Sequence, residues 1–396
     1  MPMEISEKRV GLYIHIPFCI KKCNYCSFYS IPAANEKLKK IYVDALLLHL
    51  DEHILQLAPY TVDSIYFGGG TPSVLSEQQI GAILKRIKKN FVVSKKCEIT
   101  LEVNPGTVTK EKLAAIRRCG VNRLSIGCQS FVDEHLKTCG RIHTARDNVL
   151  AVDNAIKAGF RNINVDIMYG LPNQDINEVI SGIERAVRLG ATHISLYGLT
   201  IEDGTRFGEL HRQKKLPLPS EDTESDMYFI SCAVLANLGF KHYEISNFAK
   251  PGYESVHNLK YWNCDEYIGF GPSAHSFFSE KRFSYKDDTS LYLRNFSQDY
   301  TGPGIVDKCI DVKFGTQMAE YVMLRMRLGE GIVCDEFKRR FGRTFESMYL
   351  EKISPYLKSG HIVKTANGYA FSEKGMYVSN YILARVIDFD MNIPGV

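Results

Sequence analysis

Six short runs rich in β-branched residues, separated by stretches of helical period, fill the first half of the chain. The strand-like runs are Gly11–Pro17, Val62–Phe67, Glu98–Val103, Asn122–Gly127, Asn162–Met168 and Thr192–Tyr197. Between them lie Glu36–Leu57, Glu77–Lys89, Lys110–Cys119, Ala145–Ala158 and Asn177–Leu189, which carry helical periodicity. Parallel strands need a long crossover, usually a helix, so the alternation predicts an α/β fold with helices outside a parallel sheet. The repeat stops short of a complete (β/α)8 barrel, which leaves an open or partial (β/α)6 barrel as the expected architecture. Unusual residues follow the strands: GGGTP after the second, EVNP at the third, GCQS at the fourth and DIMYGLP at the fifth. Ligands bind at the C-terminal strand edge of such folds, so these marks point to one rim.

The β/α rhythm fades near Thr200, and a dense aromatic stretch, HYEISNFAKPGYESVHNLKYWNCDEYIGFGPSAHSF, follows a helical run from Glu221 to Leu238. Helical runs at Phe314–Arg327 and Cys334–Phe341 then precede a strand-turn-strand reading in GHIVKTANGYAFSEKG and a last helix over Gly375–Val386. The expected units are a barrel with the cysteine loop over 1–200, an extension over 201–305 and a smaller α+β, winged-helix-like unit over 306–396. At 396 residues and 45% hydrophobic content, the chain is long enough for more than one core. In the last unit basic residues alternate with acidic ones, so it reads as a packing lid with no nucleic-acid role. A net charge of +4 likewise gives no reason for bulk nucleic-acid binding. Eleven cysteines without a disulfide-like framework suit a reducing compartment. The start MPMEISEKRV lacks an apolar signal core and no later run is long enough to span a bilayer, so the expected location is the cytoplasm.

Cys19, Cys23 and Cys26 stand in YIHIPFCIKKCNYCSF with C-x3-C-x2-C spacing, and no fourth cysteine lies beside them. A four-iron, four-sulfur ([4Fe-4S]) cluster held by three thiolates keeps one iron open to a small molecule. The alternative is zinc, which prefers a closed tetrahedral shell, and nothing within the next turn supplies a fourth ligand. Phe28 sits two residues after Cys26.

Other rim residues are compatible with more than one role. Gly68, Gly69 and Gly70, before Thr71 and Pro72, either let a ligand approach bare backbone or simply make a tight strand-to-helix turn. Glu102, Gln129 and Asp166 are polar groups at strand ends, to be met by a ligand, a helix cap or an interstrand hydrogen bond. Arg141, in CGRIHT, suits bidentate carboxylate binding or a place before a helix cap. In HNLKYW, His257 precedes Tyr261 by four residues and Trp262 follows. Imidazole ligates heme iron and aromatic rings stack on porphyrin, but a histidine among aromatics is also an ordinary core residue. His242, His275 and Cys264 lie nearby and compete for any ligand role.

YIHIPFC-x3-C-x2-C, followed in order by GGGTP, EVNP, QS, GRIH and D-I-x-YGLP, resembles the radical S-adenosylmethionine (SAM) proteins around oxygen-independent coproporphyrinogen III oxidase. CSFYS, SLYGLTIEDGTRF and YEISNFAKPGYESVHNLKYW are most similar to the heme-chaperone branch of that group, the HemW family. The resemblance implies a [4Fe-4S] cluster on Cys19, Cys23 and Cys26, whose open iron chelates SAM and whose reduction cleaves it to methionine and a 5′-deoxyadenosyl radical. It places Tyr13, Gly69, Gly70, Thr71, Glu102, Gln129, Arg141 and Asp166 at SAM sites. In the oxidase, the last three touch a second SAM molecule.

Two departures weigh against oxidase activity. The oxidase has a further cysteine where this chain has Phe28, and a long N-terminal extension where eighteen residues precede Cys19. HNLKYW matches the HNxxYW motif associated with heme in the chaperone branch, which implies heme at His257, Tyr261 and Trp262. The expected function is therefore a metal-binding heme chaperone in porphyrin metabolism that delivers heme to respiratory hemoproteins, at the membrane surface, with a one-electron donor and a homodimer as further expectations. The alternatives are coproporphyrinogen III oxidation, a radical SAM enzyme that opens or methylates heme, and a zinc-stabilised α/β binding protein. Whether the chain is an enzyme stays open.

Overall fold

Along Arg9–Ile16 (β1), Val10, Leu12, Ile14 and Ile16 are fully buried on one face, and Gly11, Tyr13 and His15 occupy the other. This is the period-two pattern of a strand between a helical layer and a barrel interior. In the computed structural model, which describes residues 8–32, 35–297 and 301–389, β1 is followed by β2 (Thr61–Gly69), β3 (Val92–Val103), β4 (Arg123–Gln129), β5 (Asn162–Tyr169) and β6 (His193–Gly198). Each pairs in parallel with the next. The helices between them are α1 (Glu36–Glu52), α2 (Glu77–Asn90), α3 (Lys110–Cys119), α4 (Ala145–Lys157) and α5 (Ile176–Arg188). Capping boxes start three of them: Ser76 with Gln79, Thr144 with Asp147, and Asp175 with Glu178. On α2, Ile80, Ile83, Leu84 and Ile87 form the buried stripe. Each such side chain contributes about 1.5–3 kcal/mol by leaving water.

The parallel sheet does not end at six strands. The aromatic stretch folds as α6 (Val256–Trp262) and β9 (Tyr267–Phe270), and β9 lies parallel to β1 on its free side, with Tyr13 opposite Gly269. β7 (Lys241–Glu244) and β8 (Asn247–Ala249) extend the far edge beside β6, while β10 (His275–Phe278), β11 (Lys281–Tyr285) and β12 (Val306–Asp311) extend the near edge. The order of the twelve strands is β12-β11-β10-β9-β1-β2-β3-β4-β5-β6-β8-β7, an unclosed sheet and hence a partial barrel. Two other boundaries differ from expectation. β3 begins at Val92 because Val92 and Val93 pair with Thr61 and Val62, although the lysines that follow carry no apolar pattern. The run Glu36–Leu57 breaks at His53 into α1 and a short helix over Ile54–Leu57.

A second core, from Met318 to Val386, belongs to the C-terminal unit. Helices Phe314–Arg325, Cys334–Phe341, Phe345–Lys358 and Ser379–Val386 surround a three-stranded sheet of Ile332–Val333, Gly368–Phe371 and Ile362–Lys364, a winged-helix-like arrangement. Phe345–Lys358 was not expected from the sequence, because Pro355 interrupts its helical signal. This unit grips the end of α6: Arg340 donates to the carbonyls of Asn263 and Cys264, each at 3.0 Å. Among the described residues, no helix is long and apolar enough to cross a membrane.

Candidate functional site

The chain leaves β1 through Pro17, pairs Phe18–Cys19 with Ile31–Pro32, and holds all three motif cysteines in the loop so closed. Phe18 is fully buried and stacks edge-on against Tyr42, which anchors the loop's stem. Its far end is tied to the barrel at Asn24, whose N–H donates to the Cys139 carbonyl at 2.9 Å and whose side-chain amide donates to Thr138 at 2.8 Å. Tyr29 Oη accepts from the Thr289 N–H at 2.8 Å on the other shoulder.

Cys19, Cys23 and Cys26 are each partly exposed and line one cavity of about 410 Å³. Burial raises the Cys26 thiol pKa, and the nearby Cys23 and Cys19 sulfurs raise it further. Among the described residues, no three His, Cys, Asp or Glu side chains are gathered tightly enough to hold a single metal ion. A [4Fe-4S] cluster carries its own sulfides and takes one thiolate per iron, so three separated thiols around a cavity suit it better than a point ion.

The glycine run seats this loop. Gly70 donates to the Ile16 carbonyl at 2.8 Å, and a Cβ there would come within 2.8 Å of the Phe18 carbonyl. Gly69 has φ +108°, and a Cβ there would come within 2.6 Å of the His15 ring. Thr71 is buried, with Oγ1 3.4 Å from Cys19 Sγ and accepting from Asn104 at 3.0 Å. Arg141 donates to Cys23 Sγ at 3.4 Å, to the Gly127 carbonyl at 2.6 Å and to Asn104 Oδ1, so one guanidinium ties the cysteine loop to the ends of β3 and β4. Gln129 ends β4 with φ +66°, an uncommon backbone for a side-chain-bearing residue.

Gly69, Gly70, Thr71, Glu102, Gln129, Arg141 and Asp166 therefore share one cavity with the cysteines. Burial pushes Glu102 up to about 8, against the hydrogen bond it accepts from Tyr66 at 2.9 Å. Asp166 is also raised by burial, although it accepts from Asn164 at 2.6 Å and Ser125 at 3.4 Å. Two such carboxyls facing a cavity fit a cationic ligand, whose charge would favour their ionised forms. A sulfonium carrying an ammonium group is of this class.

Tyr13 lies next door. It lines a second cavity of about 380 Å³ with His15, Phe28, Tyr261, Tyr267 and His275, which meets the first at Phe28, Gly69 and Glu102. The HNxxYW segment reaches this cavity through Tyr261. His257 is 1% exposed, and its ring stacks on Tyr66. Its Nδ1 pairs with Ser64 Oγ at 2.9 Å and its Nε2 with Tyr261 Oη at 2.8 Å, so both nitrogens have partners. Burial lowers its pKa to about 3. Glu98 accepts from the N–H groups of Val256 and His257 at 3.1 Å each, and Lys260 pairs with Asp63 at 2.8 Å. Trp262 is half-buried at the helix end. His242 is stacked on Phe248, Cys264 packs on the C-terminal core, and His275 is exposed at the mouth of the second cavity.

Sequence reasoning missed Asn104, Tyr29 and His15. EVNP and CSFYS held the first two in plain view as motif letters, but their contacts lie with residues far along the chain. His15 had a signal, since period-two spacing puts it on the same face as Tyr13.

The Radical SAM superfamily model matches residues 13–186, and the HemN C-terminal domain model matches residues 316–378. The chain is 33% identical to the heme chaperone HemW of Lactococcus lactis, over 98% of this chain and 99% of that one. It is 35% identical to the heme chaperone HemW of Escherichia coli K12, over 94% and 97% respectively. With the heme chaperone HemW of Bacillus subtilis it shares 32% identity, over 95% and 98%. Among solved structures, coproporphyrinogen III oxidase from Escherichia coli superposes with a TM-score of 0.83, covering 97% of this chain and 91% of that one, at 22% identity. That likeness establishes a shared fold.

Proposed function

The chain belongs to the HemW heme-chaperone family within the radical SAM superfamily, and from this premise we propose that it binds heme beside a SAM-accessible [4Fe-4S] cluster and hands it to respiratory hemoproteins. Cys19, Cys23 and Cys26 would hold the cluster, which when reduced supplies the electron that cleaves SAM. Gly69 to Thr71, Glu102, Gln129, Arg141 and Asp166 are the residues placed to hold SAM. Glu102 and Asp166 supply negative charge, and Thr71 and Arg141 fix the cysteine loop against the strand ends. An external one-electron donor would reach the cluster through the loop's exposed side, where Ile20 projects into solvent.

The observation that carries the heme reading is the second cavity. Tyr13, Phe28, Tyr261 and Tyr267 give it aromatic walls, and the exposed Phe28 and His275 leave it open to solvent. Flat aromatic faces suit a porphyrin. Phe28 is 69% exposed, so an apolar lip borders the cavity at the position where the resemblance to the oxidase implies a cysteine.

Hand-over is tested by mixing cluster- and hemin-loaded protein with membranes carrying heme-depleted quinol oxidase. The expected outcome is restored oxidase activity with loss of the donor's Soret band, faster than with free hemin. Heme that stays on the donor, or that transfers no faster than free hemin, would contradict delivery.

A further inference from the structure

One step down the strands from the cysteine cavity, the barrel interior holds a line of buried polar side chains. Asn164 on β5, Ser125 on β4, and His193 and Ser195 on β6 are all buried, and His193 is fully enclosed. Period-two alternation puts each on the same strand face as a residue that lines the cavity: Asn164 with Asp166, Ser125 with Gly127, and the β6 pair with Tyr197. A polar group at such depth costs about 1–3 kcal/mol if it finds no partner. These find theirs along one hydrogen-bonded line that ends at the Asp166 carboxyl on the cavity wall.

The line has a direction. Asn164 Nδ2 donates to Asp166 at 2.6 Å, and it also lies 2.7 Å from Ser125 Oγ and 2.8 Å from Ser195 Oγ, whose hydroxyls donate to the same carboxylate. This arrangement requires the amide oxygen on the far side, where it is 2.6 Å from His193 Nδ1. A flipped amide would set oxygen against the carboxylate, so the proton on Nδ1 is what holds the orientation. Burial keeps the imidazole neutral, and Arg123 acts the same way. Its other nitrogen, Nε2, is 2.8 Å from Tyr243 Oη and takes the phenol's proton. Tyr243 Oη accepts in turn from the N–H of Ser255, the N-cap of α6, at 3.2 Å. Each group donates to the next, from Ser255 through Tyr243, His193 and Asn164 to Asp166, and donors aligned in this way reinforce one another. The bonds from Asn164 and Ser195 oppose the upward pull of burial on the Asp166 pKa.

We propose that His193 is a positioning residue for cation binding in the cysteine cavity: through the Asn164 amide it fixes the Asp166 carboxylate that SAM meets there. The proposal rests on the reading that SAM fills this cavity. His193 does not line the cavity itself. It acts by keeping an acceptor oriented before the ligand arrives, which spares the complex the cost of ordering it. The same line makes the head of α6 an outer anchor of the SAM cavity, a part for the HNxxYW helix that needs no heme.

The test is a double-mutant cycle on SAM affinity, measured by anaerobic equilibrium dialysis of the full, cluster-loaded chain. Asp166→Asn and His193→Phe should each weaken SAM binding about tenfold, and His193→Phe should cost less than about twofold once Asp166 is already Asn, because residues acting through one network are not additive. Tyr243→Phe keeps the ring and the packing and removes the proton given to Nε2. It should weaken SAM binding about threefold in the wild-type background and leave it unchanged in Asp166→Asn. Iron, sulfide and circular dichroism establish that each variant is folded and loaded. Equal losses in both backgrounds would mean that His193 merely holds the barrel together, and would overturn the proposal. Wild-type affinity in His193→Phe would overturn it as well. If His193→Phe does not fold, the Tyr243→Phe cycle decides, and an additive or absent effect there overturns the proposal. If Asp166→Asn itself binds SAM as wild type does, the SAM reading of the cavity fails, and the proposal with it.

Discussion

At the C-terminal ends of the parallel strands, Glu102 and Asp166 stand half-buried on a cavity with raised pKa values, and Gln129 takes a left-handed backbone. Earlier on the same strands, around α6, the pattern reverses. Glu98 caps the helix and lies 3.9 Å from the buried Arg123, Ser64 meets His257, and Asp63 meets Lys260. The first region turns its carboxyls toward a cavity that a ligand would fill, whereas the second pairs its charged groups with one another within the protein. Motif residues in the two regions therefore play different parts, even though HNxxYW reads from the sequence as a ligand motif.

The comparison breaks most plainly at the cysteines. Replacing Cys23 by Ala should abolish the cluster while leaving the fold intact, because its thiol lines the cavity and Arg141, which donates to it, keeps its bonds to Asn104 and the Gly127 carbonyl. Anaerobic reconstitution should then give iron and sulfide near background with wild-type circular dichroism, and a normally loaded variant would move the cluster elsewhere. On the α6 side, Glu98→Ala should leave the buried Arg123 uncompensated and two helix N–H groups uncapped, costing about 3–5 kcal/mol in urea unfolding. A loss below about 1 kcal/mol would mean that α6 is not held by this network.

Two smaller effects sharpen the boundary between the regions. Gly69→Ala forces a Cβ into the His15 ring at a positive φ and should cost about 1–3 kcal/mol. It should also weaken hemin and SAM binding together, since Gly69 borders both cavities. The last is a pH dependence. Glu102 titrates at about 8 when folded against an ordinary 4.5, so its contribution to stability is full below the ordinary value and is lost as pH rises through about 8. A cationic ligand prefers the carboxylate, so SAM binding should release a proton and tighten with pH, by at most about tenfold per unit, levelling above about 8. Calorimetry in buffers of different ionisation enthalpy measures that proton, and Glu102→Gln should remove it.

The rim was legible because its chemistry is local: three thiols within eight residues, and glycines at a strand end. The α6 region was not, because its partners are distant. Ser64 lies 193 residues from His257, and Glu98 lies 159 residues from the N–H it caps. Only tertiary pairing could show that His257 is enclosed. β9 was missed for the same reason: YIGF is too short to declare a strand until β1 lies beside it. His15 shows a third case, a residue whose face could be read from alternation but whose burial could not.

One anaerobically reconstituted preparation, divided between hemin titration and incubation with coproporphyrinogen III, SAM and reductant, puts the central claim at risk. The expected result is a saturable Soret shift in the first half, and neither carbon dioxide nor protoporphyrinogen in the second. Turnover of coproporphyrinogen without hemin binding would contradict it.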